Sequence, residues 1–166
     1  QQYGRLSSTL YSMFRSQNVV NVVRSDKALE ALFGGWVQHV LDTPNMDKSL
    51  VMYLVLEYDM NDIGLAFARK LLKEKSQSQN TLDHAATCIA RFGSTADLPL
   101  LFGLMKDERL TNTWSRGQGK PLVKTQLRDR ALAMSIHLVG KKPSDFGIPF
   151  AAATPKYIFQ TYSCGF

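Results

Sequence analysis

Asp62-Ile63-Gly64-Leu65-Ala66-Phe67 and, 35 residues later, Asp97-Leu98-Pro99-Leu100-Leu101-Phe102 decide the reading of this chain, because Asp, Leu and Phe recur at the same three places. The same shift sets Val51 over Ala86 and Leu54 over Ile89 in the segments just before them. A shift of 47 sets Ala86, Ile89 and Gly93 over Ala133, Ile136 and Gly140, so 12 extra residues lie within the last complete unit. A fixed period of about 20 to 50 residues marks stacked units that bury their apolar faces against one another. Each unit here reads as two helices joined at a small residue.

Working outward, apolar residues at spacings of three and four predict helices over about 47–58, 61–75, 80–92, 95–107 and 123–139. The first is apolar nearly all round, from Leu50 to Leu56, which predicts burial from several sides. In 80–92, His84 and Arg91 fall opposite the apolar face and are expected in solvent; Cys88 lies on a flank and reads as packing. Gly93 is placed to end its helix in the left-handed conformation, and Gly140 terminates the last helix. Upstream, helices are expected over about 2–16, with Tyr3, Leu6, Leu10, Met13 and Phe14 on one face, and from Ser25 or Asp26 to Pro44. Val19 to Val23 between them alternates and reads as an extended connector. Residues 108–122, with Asn112, Thr113, Ser115, Gly117, Gly119 and Pro121, lose the helical period and read as a long surface loop.

The paired spacing, with Asp62 or Asp97 opening one helix and Leu127-Arg128-Asp129-Arg130-Ala131-Leu132-Ala133-Met134 in its partner, resembles HEAT and armadillo-like repeats. The segment 61–147, especially 126–139 followed by Lys141-Lys142-Pro143-Ser144-Asp145-Phe146-Gly147, is similar to bacterial HEAT-repeat domain proteins of uncharacterised function. The resemblance implies an all-α fold, a right-handed α-solenoid of antiparallel helix pairs that binds proteins along its concave face. It implies no chemistry. On this reading residues 1–45 are degenerate or capping helices, 46–147 the repeats with their insertion, and 148–166 a C-terminal extension.

Composition fits a single packed unit. With 45% apolar and 20% charged residues over 166 positions, the chain can bury enough surface to offset its ordering entropy, which excludes disorder. No apolar run approaches the roughly 18 residues of a membrane span. The chain opens on Gln1 without the succession of segments that makes a signal peptide, and closes on Thr161-Tyr162-Ser163-Cys164-Gly165-Phe166, an ending expected of a piece of a longer protein. Cys88 and Cys164 match no disulfide framework, and Cys164 reads as an ordinary thiol in a tail. His39, His84 and His137 lie on three helices with no second ligand at helical spacing, so no metal is expected. Gly117-Gln118-Gly119-Lys120 has Trp114 and Pro121 where a phosphate loop needs Gly and Ser or Thr. No Gly-x-Ser-x-Gly elbow is present, and no catalytic constellation or cofactor is expected.

Charge is the remaining signal. Between Lys106 and Lys142 there are nine basic residues and three acidic ones, a difference of six that equals the net charge of +6 of the whole chain. Such a segment suits an acidic protein, a phosphate-bearing ligand or a nucleic-acid backbone. Trp114, Arg116, Lys120, Lys124 and Arg128 are the candidate binding residues, an aromatic anchor beside cations. The sequence therefore points to a non-catalytic protein-interaction scaffold. The alternative is a nucleic-acid-binding HEAT-like protein, a DNA glycosylase in its enzymatic form, which needs Trp and Asp to converge in a basic groove; Asp59, Asp62, Trp114 and the basic residues are those whose placement bears on it, while Trp36, on the apolar stripe of its helix, reads as core.

Overall fold

The structure, a computed structural model, describes residues 9, 11–44, 48–74, 76–115, 117, 122–148, 151 and 153–165. It is mostly helical, with two small two-stranded sheets that the all-α reading did not contain. After a helical turn over residues 11–14 come α1 (Gln17–Ser25), α2 (Lys27–Asp42), α3 (Ser49–Glu57), α4 (Asn61–Leu71) and α5 (Gln79–Phe92). A 3-10 turn (Thr95–Asp97) leads into α6 (Leu98–Phe102), then β1 (Leu110–Ser115), β2 (Leu122–Gln126) and α7 (Leu127–Leu138). Beyond a 3-10 turn at Pro143–Phe146, an arm carries β3 (Ala153–Thr154), β4 (Ile158–Phe159) and a last 3-10 turn at Thr161–Cys164. Tyr3, Leu6, Leu10, Asp47 and Lys75, which bounded or lined predicted helices, lie outside the described residues.

Local chemistry sets the helix ends. Asp26 starts α2 by accepting from the N–H groups of Ala28 and Leu29, and Ser78 starts α5 by accepting from Thr81. The stretch Val19 to Val23 is helical rather than extended: Val20 and Val23, one turn apart, are buried, and this tertiary packing outweighs the β-preference of the valines. Asp59 ends α3 with a φ of 55°, and Met60 N–H returns to Val55 O, a closure that satisfies a carbonyl the helix leaves open. Gly140 does the same for α7 at φ 71°, with Lys141 N–H on Ile136 O. Gly93 does not, since its φ is −85°. Glycine is needed there because a Cβ would lie 2.6 Å from Ile89 O and 2.8 Å from Asp97 Oδ2. The predicted helix over 95–107 shrinks to α6, because after Gly103 the chain tightens into three-residue turns closed by Leu104, Met105 and Asp107.

The centre of the core is α5, which packs on α3, α4 and α7 and buries Leu82, Ala85, Ala86, Cys88, Ile89 and Ala90. Its alanines keep the helix thin enough to be enclosed from several sides. Contacts between α3 and α5 preserve the sequence period: His84 Nδ1 lies 2.9 Å from Ser49 O, and Arg91 Nη1 donates to Leu56 O, each pair 35 residues apart. The same offset at both ends means that the two helices lie side by side and run the same way. Neither His84 nor Arg91 faces solvent as predicted; both are spent on carbonyls of α3. On α4, Gly64 meets α3 so closely that a Cβ would stand 2.5 Å from Val55 Cγ1.

Where a loop was predicted, β1 and β2 form an antiparallel hairpin in which Trp114 pairs with Val123 and Thr113 with Lys124. Val123 to Gln126, predicted as the first turn of the last helix, are strand; α7 begins only at Leu127, where Gln126 N–H is taken by the Asp129 carboxylate. The hairpin base completes that helix end, since Leu127 N–H bonds Arg109 O and Arg128 N–H bonds Asp107 O.

Gly165 lies against β2, where a Cβ would meet Lys124 O and Thr125 Oγ1 at 2.5 Å. Backbone cannot yield as a side chain does, so Gly165→Ala is expected to lower stability by about 1 to 3 kcal/mol in chemical denaturation. Gly35, exposed inside α2 with nothing within 4 Å of its Cβ position, should behave oppositely: Gly35→Ala should raise stability by about 0.5 to 1 kcal/mol.

Candidate functional site

The hairpin separates the residues that the sequence placed together. Side chains alternate across a strand pair, so Trp114 shares a face with buried Val123 and Thr125, while Lys124 stands on the other face with Thr113. Trp114 is half-buried and Lys124 is exposed. Arg116 and Lys120 lie outside the described residues. Arg128, at the start of α7, reaches Glu108 at 2.7 Å. Arg109 is likewise bound to Asp107 at 2.6 Å and donates to Gln77 O. Lys106, Lys124, Lys141 and Lys142 are exposed and form no ion pair among the described residues. The basic excess is therefore narrower at the surface than in the sequence.

Arg130 leaves that surface altogether. At about 100° per residue, Arg128 and Arg130 project about 160° apart, and with Arg128 in water Arg130 must enter the core. Only 1% of its side chain is exposed. Its Nε donates to Asp83 Oδ1 at 2.5 Å, its Nη2 to Thr87 Oγ1 at 3.1 Å, and its Nη1 to Phe159 O at 3.0 Å and Cys164 Sγ at 3.5 Å. Asp83 and Arg130 stand 47 residues apart, the second offset in the sequence. The predicted tail thiol is thus wholly buried, and the contact joins α5, α7 and the C-terminal arm.

A second polar cluster fastens the arm to α3. Glu57, buried near the end of the helix, takes Lys156 Nζ at 2.5 Å and the Tyr157 hydroxyl on its other oxygen. Burial alone would push the Glu57 carboxyl up; hydrogen bonds from Lys156, Tyr157 and Tyr53 outweigh it and hold the group below the usual carboxylate range. Tyr157 is pushed far up by burial and by its bond to that carboxylate, so it stays a phenol that donates. Arg91 Nη1 adds a bond to Lys156 O. Ile158 takes a φ of 60°, rare for a β-branched residue, between Tyr157, which donates to Glu57 of α3, and Phe159, whose carbonyl accepts from Arg130 of α7.

Next to Glu57, Asp59 is held by both Arg24, at 2.6 Å, and Arg91. Arg24 also donates to Glu57 O, so two cations crown the negative end of α3. Trp36 sits among Phe14 and Phe33, at centroid distances of 5.3 and 5.7 Å. Asp62, at the start of α4, is exposed. Among the described residues there is no group of three or more His, Cys, Asp and Glu that would hold a metal ion, and no helix long and apolar enough to cross a membrane. Sequence reasoning missed the Glu57 and Arg130 clusters. The signal for the second was the helical angle between Arg128 and Arg130; for the first, an acid at the end of an otherwise apolar helix.

Two outcomes follow from these bonds. Replacing Arg130 by Ala removes the buried guanidinium that balances the Asp83 carboxylate and should cost about 3 to 5 kcal/mol in denaturant unfolding; Arg130→Lys should recover only part, since an ammonium cannot span four acceptors. Because the folded pKa of Glu57 is depressed, its contribution is present above the unfolded value of about 4.3 and is lost as pH falls through the folded value. Glu57→Gln should lower stability at pH 7 and flatten the acid limb of the stability curve, with the two proteins converging at the lowest pH. No protein-family model, curated protein or solved structure matches the chain.

Proposed function

We propose that the protein is a non-catalytic interaction module, an α-solenoid of HEAT-like helix pairs whose inserted hairpin presents a basic face to an acidic partner protein. The solenoid reading draws on the offsets: pairs 35 residues apart join α3 to α5, and Asp83 and Arg130, 47 apart, join α5 to α7. Stacked repeats bring equivalent positions of successive units side by side in this way.

The observation that carries the binding reading is the hairpin itself. It stands at the point where the period is interrupted, its inner face is fixed by Val123 and Thr125, and its outer face offers exposed Lys124. Arg116 and Lys120 belong to the segment that joins the strands. A field of this sign also attracts a nucleic-acid backbone, so the partner class is what the experiment must separate.

Binding of a fluorescent poly-glutamate peptide and of duplex DNA should be titrated at several salt concentrations. The reading expects the acidic peptide to bind, and Arg116→Ala, Lys120→Ala and Lys124→Ala together to weaken binding and flatten its salt dependence. Stability should change by no more than about 0.5 kcal/mol. Trp114→Ala should instead destabilise, because the ring lies on the inner face. Unchanged affinity of the triple variant at every salt concentration would sink the hairpin reading, and binding of DNA alone would favour the nucleic-acid alternative.

A further inference from the structure

The helical turn before α1 holds a cation between two tyrosine rings. Arg15 follows Tyr11 by four residues, and its N–H bonds Tyr11 O at 3.0 Å. Tyr53, from α3, stands edge-on to Tyr11, with centroids 5.8 Å apart and planes at 65°. The two rings make a notch, and the Arg15 guanidinium carbon sits in it, 5.3 Å from one centroid and 5.2 Å from the other. One wall is braced from behind: Tyr157 stacks on Tyr53 at 5.6 Å and 21°, and Tyr157 is itself pinned to Glu57.

Several features make this a site rather than ordinary packing. Two ring systems direct their electron-rich surfaces at one point, an arrangement that selects a cation. The cation in place is a flat, weakly hydrated guanidinium, the group best suited to lie against aromatic rings. Arg15 forms no ion pair with any carboxylate among the described residues, and it is exposed. Its residue lies in the non-helical step between the turn at 11–14 and α1, so the side chain can swing out while both helical segments stay in place. The Tyr53 ring, by contrast, is fastened to the core through Tyr157 and Glu57, and Tyr11 rests edge-on against it.

We propose that the Tyr11–Tyr53 notch is a recognition site for an arginine side chain of a partner protein, and that Arg15 occupies it in the free protein as a plug. A guanidinium from the partner replaces Arg15 like for like. The notch needs nothing from the hairpin, and either site can fail its test without the other.

The test uses the full chain and methylguanidinium chloride, with potassium chloride as the matched ionic control. Aromatic proton shifts of Tyr11 and Tyr53 report occupancy. In Arg15→Ala the probe should give a saturable shift at about tenfold lower concentration than in the wild type, the advantage of removing an exposed plug held by its contacts with the two half-buried tyrosines. Adding Tyr53→Leu should abolish saturation, whereas adding Tyr53→Phe, which keeps the ring, should preserve it. In the wild type, the Arg15 side-chain N–H resonance should move toward its free position as the probe saturates, a readout that requires no variant to fold. A shift no greater than that produced by potassium chloride in Arg15→Ala, or an Arg15 resonance that stays fixed at saturating probe, would overturn the proposal.

Discussion

A guanidinium removed from water is the constraint around which this molecule is arranged. Stripping Arg130 of its hydration costs several kcal/mol unless each of its donors finds an acceptor. The acceptors come from Asp83 and Thr87 on α5 and from Phe159 and Cys164 on the arm, while Arg130 itself belongs to α7. Three stretches of chain must therefore arrive together, each at one register. Apolar residues of similar volume would hold the same elements with less at stake, but they would tolerate a slip of one helical turn. The ion pair does not.

The second polar cluster uses the same logic at lower burial. Glu57 is satisfied by Lys156 and Tyr157 from the arm, and the carbonyls at the end of α3 are satisfied by Arg24 and Arg91. Between these two clusters the arm lies across α3, α5 and α7. Its sheet, β3 with β4, is only two residues deep on each strand and has no stability of its own; side-chain anchors hold it in place.

The helices were legible because burial on one side leaves a mark every three or four residues: Phe33, Trp36 and Val40 place α2, although Leu29 and Leu32 of the same stripe stay exposed, and Leu82, Ala85, Ala86 and Ile89 place α5. The hairpin was not. In β1 the period-two signal is spread over Asn112 and Trp114 inside and Thr113 and Ser115 outside, all but one of them polar, so no apolar alternation exists to read. In β2 the alternation of Val123 and Thr125 with Lys124 is three residues long and merges into the apolar face of α7. The candidate site suffered from the same ambiguity, since strand alternation parts Trp114 from Lys124 whereas a loop would have let them meet. Arg91 and His84 were misplaced because a polar residue opposite an apolar stripe faces either water or a neighbouring helix end, and only the neighbour decides which.

Burial of both thiols gives the chain a chemical clock. Cys88 belongs to α5 and Cys164 to the arm, with its thiol turned toward Arg130, neither with measurable surface, and burial pushes both thiols up, away from the reactive thiolate. Alkylation of either one must wait for an opening of the fold. Cys164 needs only the arm to lift, whereas Cys88 needs the centre of the helical stack to come apart, so the ratio of their modification rates measures how independently the arm breathes.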